Sequence, residues 1–503
     1  MSPSLPRDAW AVHVPQGESF DPSELTADTS LVAAWSRRWL TEPDRPVVHD
    51  PVAGWVAAGE LEARSRAGAG RLHAAGVRAG DRVLLSGRNT VDLIVAHIAS
   101  LRLGAVVVPT NGSYRRREVA HVVNDCSPRA AIVDDPQWCD WIAAAAPSTT
   151  VTTSALTLPD AEPPELDAVT ADDPAIIGYT SGTTGAPKGA VLSHRNVLAG
   201  AASVRVAWRW SRDDRLVLCL PLFHMHGLGV GLHGSLLAGG SIVLLDGFDP
   251  DRVLDAARDH DATMFFGVPT MYHRLADSGR VAELARLRLC VSGSAPLPAL
   301  LHAALDSAAG VRVLERYGMT ETVMLVSNPY DGERRAGTVG FPLPGVELRL
   351  APGTGEVEVR GPNVFRGYWN RPDATNVSFT GDGWFRTGDI AERDDDGYLQ
   401  IVGRSKELII SGGFNVYPRE VEDVLSQHPA FREVAVAGRP SSEWGEQVTA
   451  FAALRAGSLA PAIDELRDWA RDQLAAYKLP RELVVVDALP RNALGKVVKG
   501  DLP

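Results

Sequence analysis

The densest concentration of phosphate-binding chemistry in this chain lies in residues 179–189, YTSGTTGAPKG. Three glycines, hydroxyls on Thr180, Ser181, Thr183 and Thr184, and the ammonium of Lys188 fall within this one short run. Glycine lets backbone N–H groups turn inward and approach anionic oxygens, while hydroxyls and an ammonium add donors and charge. A polyphosphate suits such a loop. The flanks read as a strand, DDPAIIGYT, and then as a strand and helix, GAVLSHRNVLAGAASV. The loop therefore sits at a strand end, where α/β proteins hold phosphates. It lacks the GxxxxGK(S/T) spacing of a Walker A loop.

Further chemistry-bearing segments are PLFHMHGLG (221–229), GSAPL (293–297), ERYGMTET (315–322), GWFRTGD (383–389), GRSKE (403–407) and PRNALGK (490–496). With the Gly-rich loop, and in this order, they resemble the adenylate-forming superfamily of acyl-CoA synthetases, peptide-synthetase adenylation domains and luciferases. The likeness runs from about residue 50 to Lys496. It implies that Thr180, Ser181, Gly182, Thr183, Thr184, Gly185 and Lys188 bind nucleotide phosphates. Ser294, Ala295 and Pro296 form the adenine turn, and Glu315, Arg316, Tyr317, Gly318 and Met319 also bind nucleotide, with Tyr317 stacking on adenine. Thr320 bonds the α-phosphate, and Glu321 helps hold Mg²⁺, a hard cation that carboxylates suit. Asp389 takes both ribose hydroxyls, Arg404 contacts ribose or phosphate, and Lys406 is the hinge. Lys496 is the adenylation lysine. In the same likeness Ser411, Gly412 and Gly413 let the pantetheine arm of CoA pass close to backbone.

What such an enzyme does follows from carboxylate chemistry. A carboxylate repels nucleophiles and has oxide as its leaving group. Converting it to an acyl-AMP makes AMP the leaving group, and a thiol then captures the acyl group. The resemblance implies that one site serves both steps, with the tail domain turning about Lys406 between them. ATP, Mg²⁺ and CoA are the expected co-substrates and cofactor. A carrier protein or an amine is the alternative acceptor.

These residues need positioning elements. A chain of 503 residues exceeds one ordinary core, so two or more domains are expected. Helical patterns alternate with short apolar strands from about residue 30 to the ERYG segment, the order of an α/β fold with largely parallel sheets covered on both faces. Residues 340–403 change to short strands and turns, a small β-rich module. Beyond lies a compact α+β tail. The expected division is an N-terminal domain, 1–403, and a mobile C-terminal domain, 404–503. The acidic, Pro-rich stretch 158–167 reads as a surface linker.

Composition bounds the rest. A hydrophobic fraction of 45% with 22% charged residues is that of a soluble globular enzyme. A net charge of −12 argues against general affinity for nucleic acid or anionic membrane. The four cysteines form no CxxC pair, so neither a disulfide frame nor a zinc site is expected. No apolar run reaches transmembrane length and no secretory leader is evident, so a cytoplasmic location is expected.

The acid is the open question. His224 and His226 flank Met225 where the family's acyl pocket begins. As a strand, His-x-His would put both rings on one face, but no third ligand is evident and a metal is not expected. His224 is carried over with the catalytic residues, and Met225, His226, Arg274, Arg288 and Met324 with the substrate pocket. Malonyl-CoA synthetases look closest, and in them an arginine at the Arg288 position pairs with malonate's free carboxylate. Bidentate guanidinium pairing would favour a diacid. Val323, Leu325 and Val326 depart from the malonate pattern toward a more apolar pocket. Malonate or a small substituted malonate is the expectation, with medium-chain or aromatic acids as alternatives. A structural ion pair is the alternative role for Arg288.

Overall fold

The computed structural model describes residues 7–15, 17–18, 20–180, 187–411, 413–492 and 496–503. Two large sheets carry most of the chain. One has seven strands, ordered Gly367–Tyr368, Lys188–Ser193, Pro174–Thr180, Val106–Pro109, Arg82–Ser86, Ala130–Val133 and Thr150–Thr152. The last five of these run parallel, and Lys188–Ser193 pairs antiparallel with Pro174–Thr180. The other has nine strands, with Leu314–Tyr317, Leu289–Ser292, Met264–Gly267, Arg215–Leu218, Ser241–Leu244 and Pro46–Asp50 parallel in its middle. These strands are apolar almost throughout, because each is buried on both faces.

Parallel order dictates where a site can form. Every parallel strand ends at the same edge of its sheet, so the loops that follow gather there. The segments 293–297 and 318–322 leave the C-terminal ends of neighbouring strands, paired Val291 to Leu314 and Ser292 to Glu315. The segment 219–225 leaves the same edge after Arg215–Leu218, two strands away. A single large core joins both sheets, with Trp35, Leu216, Phe266, Val291 and Leu314 almost wholly buried.

The β-rich module is an antiparallel sheet of four strands, Glu347–Leu350, Glu356–Arg360, Phe385–Arg393 and Leu399–Arg404. After it the tail builds a separate five-stranded sheet around Gly445–Leu454 and a core of its own, including Val421, Phe431, Val448 and Leu466. The fold is thus α/β, with a large N-terminal and a small C-terminal domain.

Residues 158–167 do not behave as a free linker. Ala161 packs so tightly on Gly70 that a Cβ there would lie 2.0 Å from the Ala161 carbonyl oxygen. Asp160 pairs with Arg71, and Asp167 with the buried Arg102. Among the described residues no helix is long and apolar enough to cross a membrane.

Candidate active site

The phosphate end is built on the antiparallel hairpin of Pro174–Thr180 and Lys188–Ser193. Ser181, Gly182, Thr183, Thr184 and Gly185 lie outside the described residues. At the neck of the hairpin the Thr180 hydroxyl donates to the Lys188 carbonyl at 3.3 Å. The Lys188 ammonium stands 5.3 Å from the ring centre of Tyr368, and the Tyr368 hydroxyl donates to Glu321 Oε1 at 2.9 Å. Glu321 is buried, and that burial raises its carboxyl above the usual range. It belongs to the single turn Thr320–Thr322, whose Thr320 methyl sits where a Cβ on Gly178 would be, 2.5 Å away. Asn363 fixes this turn by donating to the carbonyls of Thr322 (2.9 Å) and Met324 (2.7 Å). Neither Asn363 nor Tyr368 stands out in the sequence, since their partners lie about 40 residues away.

At the nucleoside end, Asp389 is buried and held at both oxygens. The Tyr317 hydroxyl donates to Oδ2 at 2.5 Å and Arg404 Nε meets Oδ1 at 2.9 Å. A carboxylate has about four acceptor positions, so each oxygen retains one for a sugar hydroxyl. Arg404 is held charged chiefly by Asp389. Glu315 Oε1 accepts the Leu297 N–H at 2.9 Å and so pins the turn containing Ser294, Ala295 and Pro296. Glu315 Oε2 is buried without a partner among the described residues, and burial pushes the carboxyl up to about 8. Gly318 has no room for a side chain, because a Cβ would lie 2.7 Å from the Val323 carbonyl and 3.2 Å from the Met324 sulfur. Met319, the residue after it, packs against the main core.

The acyl end differs from the sequence expectation in several respects. His224 and His226 are not on a strand. They belong to a turn that opens into a wide helical segment, His226–Leu232, in which Val230 N–H reaches back five residues to the Met225 carbonyl at 2.9 Å. Both imidazoles are held neutral by burial, His224 at about 4 and His226 well below its ordinary value. Ser294 Oγ lies 3.4 Å from His226 Nδ1. Three glycines thread this segment. A Cβ on Gly227 would strike the Pro221 carbonyl oxygen at 2.4 Å, one on Gly229 the Met225 methyl at 2.3 Å, and one on Gly231 the Leu218 side chain at 2.8 Å.

Arg316 stands beside these histidines. Its guanidinium covers Gly293, where a Cβ would come within 2.4 Å of Cζ and Nε. Nε and Nη2 are buried with no hydrogen-bond partner among the described residues, and burial lowers the group to about 9. Its charge is felt by both His224 and His226. The sequence grouped Arg316 with the nucleotide residues; its side chain lies over Gly293, near His224 and His226.

Arg288 is paired within the fold. It precedes Leu289–Ser292, at the opposite strand end from the site, and forks onto Asp214 with two 2.6 Å contacts. It also donates to the Trp208 and Arg209 carbonyls. Arg274 is exposed on a returning helix, 5.0 Å from the ring centre of Phe248. Val323, Met324, Leu325 and Val326 are all core residues, each 2% exposed or less, so the apolar run after the ERYGMTET segment fills the interior. Val323 holds a φ of +58°, a conformation that β-branched residues rarely adopt, between Gly200 and Gly229.

The C-terminal tail reaches into this edge. Lys496 is held by a backbone exchange with Asn492, at 3.0 Å to Oδ1 and 2.9 Å from Asn492 N–H to the Lys496 carbonyl. Burial lowers its ammonium, with Arg404 and Lys499 adding repulsion and Asp389 and Glu407 opposing it. Lys496 also contributes to the depressed value of His224. Lys406 lies in the short turn Ser405–Glu407 that joins the two domains. Ser411 is buried, and Gly413 adopts a φ of +82° at the tip of a hairpin; Gly412 lies outside the described residues.

Lys188, Arg316, Arg404 and Lys496 thus ring an edge where carboxylates are either pinned or buried. The arrangement can neutralise a polyphosphate and an organic acid together.

Comparison with known proteins places the whole chain. The family model described as AMP-binding enzyme matches residues 35–369, and that described as AMP-binding enzyme C-terminal domain matches 420–496. A feruloyl-CoA synthase from Amycolatopsis sp is 39% identical over 459 residues, covering 88% of this chain and 92% of that protein. ATP-bound MatB from Rhodopseudomonas palustris superposes with a TM-score of 0.87 at 39% identity, covering 93% and 97% of the two chains. A malonyl-CoA ligase ternary product complex with methylmalonyl-CoA and AMP gives 0.66 at 41% identity, covering 89% and 97%.

Proposed function

This chain belongs to the AMP-binding enzyme family and is an ATP-dependent acyl-CoA ligase, and from that premise we propose that the acid it activates is malonate or a small substituted malonate. The observation that carries this reading is Arg316. A guanidinium buried without a counter-charge is costly, by several kcal/mol, unless an anion meets it. Its planar fork matches a carboxylate. An acid placed with its reacting carboxylate toward Lys496 and His224 would offer a second carboxylate to Arg316. The likeness to a malonyl-CoA ligase supports the same class.

Two steps follow. A carboxylate oxygen of the acid attacks the α-phosphorus of ATP, and pyrophosphate leaves. In this reading Lys496 and Lys188 neutralise the charge that develops there and the Thr320 hydroxyl donates to it. Tyr317 and Asp389 hold the nucleoside. The thiol sulfur of CoA then attacks the acyl carbonyl, and AMP departs as the thioester forms. Neutral His224 and His226 shape the pocket without competing for the acid as cations.

Magnesium fits the first step. Among the described residues no three His, Cys, Asp or Glu side chains could cage a metal, so an ion would rely on Glu321, phosphate oxygens and water, the coordination Mg²⁺ prefers. Bound with ATP, it supplies charge neutralisation on the transferring and leaving oxygens.

Between the steps the domain 404–503 turns about Lys406, withdrawing Lys496 and bringing the Gly413 hairpin to the site. Two relatives of similar identity, one ATP-bound and one holding CoA product, superpose to quite different extents, which supports two arrangements of the domains.

A second reading, an aryl acid, draws on the feruloyl-CoA synthase relative. Pyrophosphate exchange and CoA thioester formation with malonate, methylmalonate, octanoate and ferulate separate the two. Malonate or methylmalonate should lead by at least tenfold in kcat/KM, a difference of about 1.4 kcal/mol. Turnover of ferulate with both diacids silent would overturn the diacid reading.

A further inference from the structure

Basic residues in this chain are nearly all arginine. Of 50, only Lys188, Lys406, Lys478, Lys496 and Lys499 are lysine. Three of these already have places at the loop, the hinge and the α-phosphate. Lys478 clamps Glu420 within the tail domain. Lys499 is different, because it joins three separate elements.

It sits on the turn Lys499–Asp501, three residues past Lys496. Its Nζ lies 2.7 Å from Glu422 Oε1 on the helix Pro418–Leu425, and 3.5 Å from Glu407 Oε2 in the hinge turn. The three side chains are only 16–26% exposed, so solvent screens them weakly. A compact ammonium on a flexible stem can stand between two carboxylates from different elements, whereas a guanidinium fork commits to one.

Lys496 shares this field. Glu407 attracts its ammonium and Lys499 repels it, yet Lys496 makes no ion pair among the described residues. Lys499 pairs with Glu407. An ammonium that must meet the α-phosphate is useless if a carboxylate of its own domain has captured it.

We propose that Lys499 is a positioning residue for adenylation: by occupying Glu407 and Glu422 it ties the tail loop to the hinge and keeps Glu407 from capturing Lys496. The inference rests on the reading of Lys496 as the adenylation cation. That reading is tested separately by Lys496→Ala, and if the variant forms adenylate normally both fall.

The test uses the full chain and measures each half-reaction. Pyrophosphate exchange into ATP reports adenylation, and thioester formation from supplied acyl-AMP and CoA reports capture. Lys499→Met should slow exchange roughly ten- to a hundredfold, the scale of misplacing a catalytic group, while capture stays within twofold. Adding Glu407→Gln to Lys499→Met should restore exchange to within about threefold of wild type, because the competing carboxylate is gone. Equal loss of both halves, or no rescue by Glu407→Gln, would overturn the proposal. Should Lys499→Met unfold, Lys499→Gln keeps a donor for Glu422 without the charge, and the same split and rescue decide the matter.

Discussion

Arg316 lies in one strand and Arg288 just before the parallel strand beside it, yet they live in opposite worlds. Arg288 stands at the N-terminal edge, with Asp214 at 2.6 Å and two backbone carbonyls filling its fork. Arg316 stands at the C-terminal edge, where Nε and Nη2 meet nothing among the described residues. Residue type alone does not separate a cation satisfied within the fold from one left with unpaired donors. The state of its hydrogen bonds does, together with the end of the strand on which it sits.

This contrast can be broken experimentally. The largest effect should come from the cation that both readings need: Lys496→Ala should slow pyrophosphate exchange roughly a thousandfold, in the range for losing a transition-state charge donor. Thioester formation from supplied acyl-AMP should survive. Equal loss of both halves would place Lys496 in general structure instead.

Arg316→Met, close in length and without charge, should lower kcat/KM for the diacid about a hundredfold, the scale of removing a charged hydrogen-bond partner. A monoacid should change by less than about threefold. If both acids suffer alike, Arg316 reads no second carboxylate. Arg288→Met should show the converse. It strands the buried Asp214 and should cost about 2–4 kcal/mol in denaturant unfolding, while kcat/KM per folded molecule stays at wild type. A selective loss of diacid turnover there would invert the assignment.

The smallest effect is in the pH profile of stability. Glu315 has its folded value raised to about 8, so it favours the folded state at low pH and that contribution is lost as pH rises through 8. His13, His97, His194 and His224 are depressed to about 3–4, so their contribution is complete above 6.5 and is lost as pH falls toward those values. Stability should therefore peak near pH 6.5, falling by about 1–2 kcal/mol by pH 8. Glu315→Gln should flatten the alkaline side and steepen the acid side, since its contribution is lost between about 4.5 and 8. A steady decline from pH 8 to pH 5 would contradict the assignment of these groups.

The sequence was most legible where chemistry is contiguous. The order of strands followed from apolar runs flanked by turns, and the nucleotide segments lie within single loops. Where the arginine side chains point was not legible, for a physical reason. Along a strand, alternate side chains leave on opposite faces. Glu315 and Arg316 are neighbours in one motif, yet Glu315 turns to the Leu297 amide and Arg316 to Gly293 and the histidines. A motif names residues together that the sheet sends apart. The role of Arg288 was equally hidden, because Asp214 lies 74 positions away. Asn363 carries no local pattern at all, and only the turn it clamps reveals it.

The glycines of the wide segment after His224 set the terms on which this pocket could ever be re-engineered. At Gly227 an added methyl meets a main-chain carbonyl that has nowhere to go. At Gly229 it clashes with the tip of Met225, a supple thioether that can swing aside, and rests 3.4 Å from Val323. Alanine at 229 would therefore shift the Met225 side chain, leaving the main chain where it is. Anyone breeding variants for bulkier or slimmer acids would do well to begin there and to leave 227 alone.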